Sequence, residues 1–230
     1  MGGKRVGILA PMVHEIEPFV RDLGMDEEGD HHIGMVDDTE IVAMVTNMGI
    51  QAGADAARRI LQHDVDHVMV VGIAGGVDHS LQIGQVVVPE RVLDRATGRM
   101  FAPIHVGDIV PRGTISCGDD LITDPATIAQ WESEGVVAVE METTGVAPVC
   151  EDAGVAWSVF RGISDFADGG LVDDALFAMT NPDGTSDPEG MQRYLAENPE
   201  KTKVLEQLAH DMRLATDAAA AAAIRACATL

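Results

Sequence analysis

The chain has 230 residues and a mass of 24.3 kDa, enough for one domain with a sizeable core. Hydrophobic residues make up 46% and charged residues 23%, which excludes wholesale disorder. Fifteen Lys+Arg against 38 Asp+Glu give a formal charge of −23; a surface so negative repels phosphate backbones and anionic lipid heads, so neither nucleic acid nor a membrane surface is an expected partner.

In chain order, the apolar run 6–10 reads as a strand, and Ile16, Phe19, Val20 and Leu23 after it keep helical spacing. Residues 40–45 read as the next strand, followed by Gly49 and a helix through Ala52, Ala56, Ile60 and Leu61. Residues 67–71 form a strand that enters the loop Gly72-Ile73-Ala74-Gly75-Gly76, and 85–88 form another. Residues 136–139 are strand-like, with a helix expected from about Met141, and 155–160 are a strand leading into a loop. The stretch 169–200 carries Asp173, Asp174, Asp183, Asp187 and three prolines, and reads as an acidic lid or insertion with short helical pieces. A closing helix has Val204, Leu205, Leu208, Met212 and Ala215 on one stripe, and its alanine run 218–223 is good helix former.

Near-continuous apolar strands alternating with amphipathic helices specify an α/β fold. We expect a single domain with a mixed, mainly parallel central sheet and helices on both faces. Cys117, Cys150 and Cys227 form no CxxC pair and suggest no disulfide framework. No apolar run suits a signal peptide or a membrane span, so the expected setting is cytoplasmic.

Ligands of open α/β sheets sit beyond the carboxyl ends of the strands. Four such ends carry polar or glycine-rich sequence here: Pro11-Met12-Val13-His14-Glu15, the glycine loop, Glu140-Met141-Glu142, and Arg161-Gly162-Ile163-Ser164-Asp165. Each has an ordinary reading. Glu15, Glu140 and Glu142 could be solvated first-turn acids favoured by the helix dipole, and Asp165 could be an N-cap. The glycine loop lacks both GxGxxG and the P-loop lysine. The residues by themselves therefore specify an α/β enzyme with an acidic rim. His31 and His32 suit an exposed turn, Cys150 a buried apolar position, and no HExxH or Cys/His spacing suggests a metal. No metal or cofactor is expected, and His14 is a possible helper beside Glu15.

Together these segments resemble the nucleoside phosphorylase/nucleosidase superfamily, and most closely its methylthioadenosine/S-adenosylhomocysteine nucleosidase branch. The resemblance rests on Val6–Glu15 (VGILAPMVHE), Val71–Gly76 (VGIAGG), Ala138–Glu142 (AVEME) and Arg161–Asp168 (RGISDFAD), in family order across roughly the first 170 residues. It implies a nucleoside phosphorylase-like fold and cleavage of the N-glycosidic bond of a purine nucleoside. Asp165 would protonate the leaving base at N7, and Glu15 would orient and deprotonate the attacking water. Glu142 would accept hydrogen bonds from ribose hydroxyls, with Met141 beneath the sugar and Ser164 and Arg161 supporting Asp165. Met12, Ile73, Ala74, Gly75, Leu121, Ile122 and Glu140 complete the expected binding site.

The sequence departs from the family at several positions. Where a phosphorylase carries an Arg and a Ser or Thr to grip phosphate, this chain has Val70 and Ile73, whose side chains bind no anion. Leu121 stands where an aromatic usually stacks on the base, and Gln85 follows Gly84 where the family usually has Asp. Hydrolysis is the leading expectation, with phosphorolysis and a nucleoside-binding homologue of little turnover as alternatives. Phe101, Pro103 and His105 are candidate pocket or neighbouring-subunit residues, and the resemblance implies a homodimer or larger homo-oligomer.

Overall fold

A computed structural model describes residues 4–170, 180–185 and 187–230. Among these, β1 (Arg5–Ala10) leads into α1 (Val13–Leu23). A meander follows: β2 (Asp26–Glu28), β3 (His31–Val36) and β4 (Thr39–Val45). Next come α2 (Ile50–Ile60), β5 (His67–Gly76), β6 (Val86–Val87), β7 (Arg91–Asp94), β8 (Met100–Phe101) and β9 (Thr114–Cys117). The chain continues through α3 (Pro125–Ser133), β10 (Val136–Glu140), α4 (Thr143–Ala153) and β11 (Ala156–Phe166). It ends with α5 (Pro188–Glu197) and α6 (Lys201–Cys227).

The strands form one mixed sheet whose main path is β2-β3-β4-β1-β5-β10-β9-β7-β8, with β11 pairing to β5 and β6. The centre is parallel: β1 lies between β4 and β5, and β5 runs alongside β11 from His67 to Gly76. β1 is buried from Val6 to Ala10 because it has a strand on each edge and helices on both faces. One face packs on α2 and α4 through Ala56, Ala57, Ile60, Val146, Ala147 and Cys150. The other packs on α1 and the alanine-rich α6 through Ile16, Phe19, Ala219, Ala220, Ala222 and Ala223. The expected α/β architecture is the observed one.

Several local expectations are corrected. The glycine segment 72–76 is not a loop but the second half of β5, because its backbone pairs with β11 along its length and with β10 at Gly75–Gly76. Likewise β11 does not stop at Phe160 but continues to Phe166, following β5. His31 and His32 lie half-buried on β3, paired to β2, rather than in an exposed turn. Phe101 is a core residue on β8 packed with Val92 and Ile115. Of the 169–200 stretch, residues 171–179 and 186 lie outside the described residues, so the expected lid falls partly there. Its described part includes the ten-residue α5 and a turn against the start of α1, where Val13 N–H donates to Asp183 O at 3.0 Å and Met48 N–H to Pro182 O at 2.7 Å.

Candidate active site

The carboxyl ends of β1, β5, β10 and β11 open on a cavity of about 180 Å³. Every residue that the resemblance placed in the site lines it: Met12 and Glu15 from the start of α1; Ile73, Ala74 and Gly75 from β5; Leu121 and Ile122 from the turn after β9; Glu140, Met141 and Glu142 across the β10–α4 junction; Arg161, Ser164 and Asp165 from β11. Phe101, Pro103, His105 and His14 do not line it. Phe101 is held in the core. His14 lies half-buried on α1, where desolvation, opposed by Glu17, lowers its pKa.

Glu15 is not the solvated first-turn acid that its position allows; it is 1% exposed. It sits in the first turn of α1 and reaches back in a capping-box arrangement, Oε2 accepting Met12 N–H at 2.7 Å. Its Oε1 accepts Ile73 N–H at 2.7 Å. That approach needs Gly72: a Cβ there would fall on Oε1 of Glu15 and lie 2.8 Å from Nη1 of Arg161. Burial pushes the Glu15 pKa up to about 8, against the lowering pull of Arg161, with nearby Glu142 adding to the rise.

Arg161, fully buried on β11, organises the carboxylates. Nη2 donates to Glu140 in an ion pair and to Glu142 Oε2 at 3.0 Å, and Nη1 donates to Ile73 O at 3.3 Å. Its expected role beside Asp165 is therefore corrected: the guanidinium turns to the two glutamates. One cation cannot neutralise three carboxylates, so their proton affinities separate. Glu140 also accepts Thr143 N–H at 3.0 Å, Thr143 O–H at 2.9 Å and Glu142 N–H at 3.0 Å. Burial would raise it, but Arg161 and these donors prevail and hold its pKa below the ordinary value. Glu142 accepts Gly49 N–H at 3.1 Å; burial and the neighbouring Glu140 lift its pKa to about 7 against the pull of Arg161.

Asp165 lies apart from this cluster. The β5–β11 register shifts between Ile163 and Asp165, a bulge that re-aims the side chains at the strand end toward the cavity. Asp165 is on a strand and caps no helix. Its Oδ1 accepts the Ser164 hydroxyl at 2.6 Å. Burial raises its pKa, the Ser164 bond opposes this, and the carboxylate of Asp211 adds to the rise. The site thus offers a carboxyl inclined to hold a proton facing a cluster of hydrogen-bond acceptors.

Reasoning from sequence missed other lining residues, including Met48, Arg95, Asp120, Val139 and Phe166. Met48 follows β4, and the strand-end rule could have found it. Arg95 follows β7, a four-residue strand with no clear alternation. Phe166 brings an aromatic ring to the lining and stacks on His79 with ring centroids 5.4 Å apart. Among the described residues, no group of His, Cys, Asp and Glu could hold a metal ion.

A family model described as "Phosphorylase superfamily" matches residues 5–109 and 104–181. The chain belongs to this superfamily. A 5'-methylthioadenosine/S-adenosylhomocysteine nucleosidase of Bacillus pumilus (strain SAFR-032) is 25% identical over 165 residues, covering 58% of this chain and 71% of that protein. An "ATP nucleosidase Cap17" of Escherichia coli is 26% identical over 198 residues, 62% of this chain but only 39% of that longer protein. The crystal structure of Helicobacter pylori 5'-methylthioadenosine/S-adenosyl homocysteine nucleosidase aligns over 100% of both chains with a TM-score of 0.74 at 20% identity, a likeness of fold.

Proposed function

We propose that this protein hydrolyses the N-glycosidic bond of a purine nucleoside of the methylthioadenosine/S-adenosylhomocysteine kind and releases the base. The observation that carries the reading is the division of the cavity. Glu15, Glu140 and Glu142 gather around Arg161 on one part of the rim, and Asp165, with its raised proton affinity, stands on another.

Bond cleavage builds oxocarbenium character on the ribose while electron density passes to the purine. Asp165 protonates the base at N7 as it leaves; burial favours its protonated form, and the hydrogen bond from Ser164 fixes its orientation. Glu142 accepts hydrogen bonds from ribose hydroxyls, and Met141 packs beneath the sugar. Glu15, once ionised, orients water and takes its proton, a division between acid and base like that of inverting glycosidases. Met12, Ile73, Ala74, Gly75, Leu121 and Ile122 form the remaining walls around the sugar and base, and Glu140 holds Arg161. No metal or cofactor enters the proposed mechanism.

Water rather than phosphate is favoured because a phosphate entering beside the ribose would meet Glu15 and Glu142, while Arg161 already serves Glu140 and Glu142. Ile73 offers its backbone N–H to Glu15, not to a phosphate. A cytoplasmic homodimer or larger homo-oligomer belongs to the same reading. Among the described residues no helix is long and apolar enough to cross a membrane.

The test is base release from methylthioadenosine, S-adenosylhomocysteine and other purine nucleosides, with and without phosphate. Release in phosphate-free buffer with a free ribose derivative as product is expected. Strict dependence on phosphate with a ribose 1-phosphate product would establish phosphorolysis instead, and binding without release would establish a nucleoside-binding homologue. Sedimentation of the purified protein reads the oligomeric state.

A further inference from the structure

We propose that Asp211 is a positioning residue for Asp165, holding the neighbouring carboxyl in its protonated form so that it can deliver a proton to the leaving base. The inference rests on the role proposed above for Asp165. Asp211 belongs to α6, outside the segments in which the sequence placed the site, and does not line the cavity.

The packing of α6 on β11 sets Asp211 toward the end of the strand that carries Asp165. The helix runs antiparallel to the strand. Near its end Cys227 Sγ lies 3.9 Å from Met69 Sδ, at the level of Ser158 on β11. Further back, Ala215 sits on Gly162 so closely that a Cβ on Gly162 would lie 2.7 Å from the Ala215 carbonyl carbon and 2.9 Å from its Cα. One turn earlier on the same helix face is Asp211, and three residues further along β11 is Asp165. The close glycine contact thus fixes the helix register that sets Asp211 by the end of the strand.

Asp211 is only 8% exposed, an unusual place for a carboxylate with no cation paired to it among the described residues. Its hydrogen bond is from Gln207 Nε2 at 2.9 Å, a neutral donor on the same helix. On α6, His210 and Arg213 are exposed on other faces. On β11, Arg161 is engaged by Glu140 and Glu142, and β5 offers no ionisable side chain near this end. Among the described residues, the charge that acts on Asp165 is therefore Asp211, added to burial and opposed by the Ser164 hydroxyl. A negative charge in a desolvated setting disfavours a second ionisation beside it, so the proton stays on the residue that faces the cavity.

The experiment uses the full-length protein and two readouts. One is the titration of the Asp165 carboxyl by ¹³C NMR; the other is the pH profile of kcat/KM for base release from methylthioadenosine. Asp211→Asn keeps the shape and an acceptor for Gln207 but removes the charge. It is expected to move the Asp165 midpoint, and the limb of the profile that Asp165 governs, down by about one pH unit. Asp211→Glu is expected to restore both, and Asp211→Ala to behave like Asp211→Asn. An unmoved midpoint in natively folded Asp211→Asn, or an equal shift in Asp211→Glu, overturns the proposal. Full base release by Asp165→Asn would instead overturn the role given to Asp165, and the NMR midpoint would still decide whether Asp211 holds its proton.

Discussion

Glu15 Oε1 accepts the backbone N–H of Ile73 at 2.7 Å, joining the first turn of α1 to the glycine-rich half of β5 through one buried carboxyl group. The bond fixes the side chain where its charge is most costly. Its pKa of about 8, against an ordinary 4.5, means that the folded protein binds this proton more tightly than the unfolded chain does. The stability contributed is fully present below about pH 4.5 and is lost as the pH rises through 8. Denaturant unfolding of the ligand-free protein is therefore expected to lose on the order of a few kcal/mol between pH 5 and pH 8.5, by the usual linkage of proton affinity to folding. Glu15→Gln, which does not ionise, is expected to show a shallower decline and to lose base release by about 10²- to 10⁴-fold, the range for a missing general base. An equally steep decline in the variant would remove Glu15 as its source.

The same proton sets the acidic limb of activity. The base must be ionised to accept a proton from water, so kcat/KM is expected to rise with pH through a midpoint well above the ordinary carboxylate range, toward the values near 7 and 8 of Glu142 and Glu15. Glu142 raises the affinity of Glu15 for its proton. Glu142→Gln should consequently shift the acidic limb to lower pH. It should also lower kcat/KM about 10- to 100-fold, as expected when a charged acceptor for ribose hydroxyls is lost. A limb that stays in place would show that the two carboxylates titrate independently.

Arg161 is the keystone of this charge arrangement, and its removal separates electrostatics from packing. Arg161→Met leaves three buried carboxylates without their cation and is expected to cost about 3–5 kcal/mol at neutral pH, the usual penalty for one half of a buried pair. Without the guanidinium the carboxylates hold protons to higher pH. The destabilisation relative to the parent protein should thus shrink toward pH 5 and grow above neutrality. Combining Arg161→Met with Glu140→Gln should recover part of the loss. A pH-independent deficit would assign it to lost packing.

Much of this was legible in the sequence because the strands announce themselves. The runs 6–10, 67–71 and 136–139 are apolar without alternation, as expected of strands buried on both faces, and the polar residues stand where those runs end. What could not be read was pairing. Nothing in Gly72–Gly76 distinguishes a loop from a strand until β11 lies beside it, and the bulge that turns Asp165 depends on that register. Nor does sequence spacing show that Arg161 faces Glu140 and Glu142 rather than Asp165, four residues away on its own strand. Asp211 lay still further out of reach, because its neighbour is set by how a long helix seats on the sheet.

That seating gives a final prediction. At Gly162 α6 lies close on β11, and a methyl group there would run into the Ala215 carbonyl group. The obstacle is helix backbone, which cannot rotate away as a side-chain end would, so the helix must lift or slide. Gly162→Ala is expected to cost about 1–3 kcal/mol, the usual range for overpacking. Because Asp211 is one turn from the contact, the displaced helix should also withdraw its charge from Asp165. The limb of kcat/KM that Asp165 governs should then move to lower pH, in the direction expected for Asp211→Asn, although residue 162 touches neither carboxylate. Gly162→Ala combined with Asp211→Asn should shift the limb little further than Asp211→Asn alone, since the charge is already gone; additive shifts would mean that the methyl group perturbs Asp165 by another route.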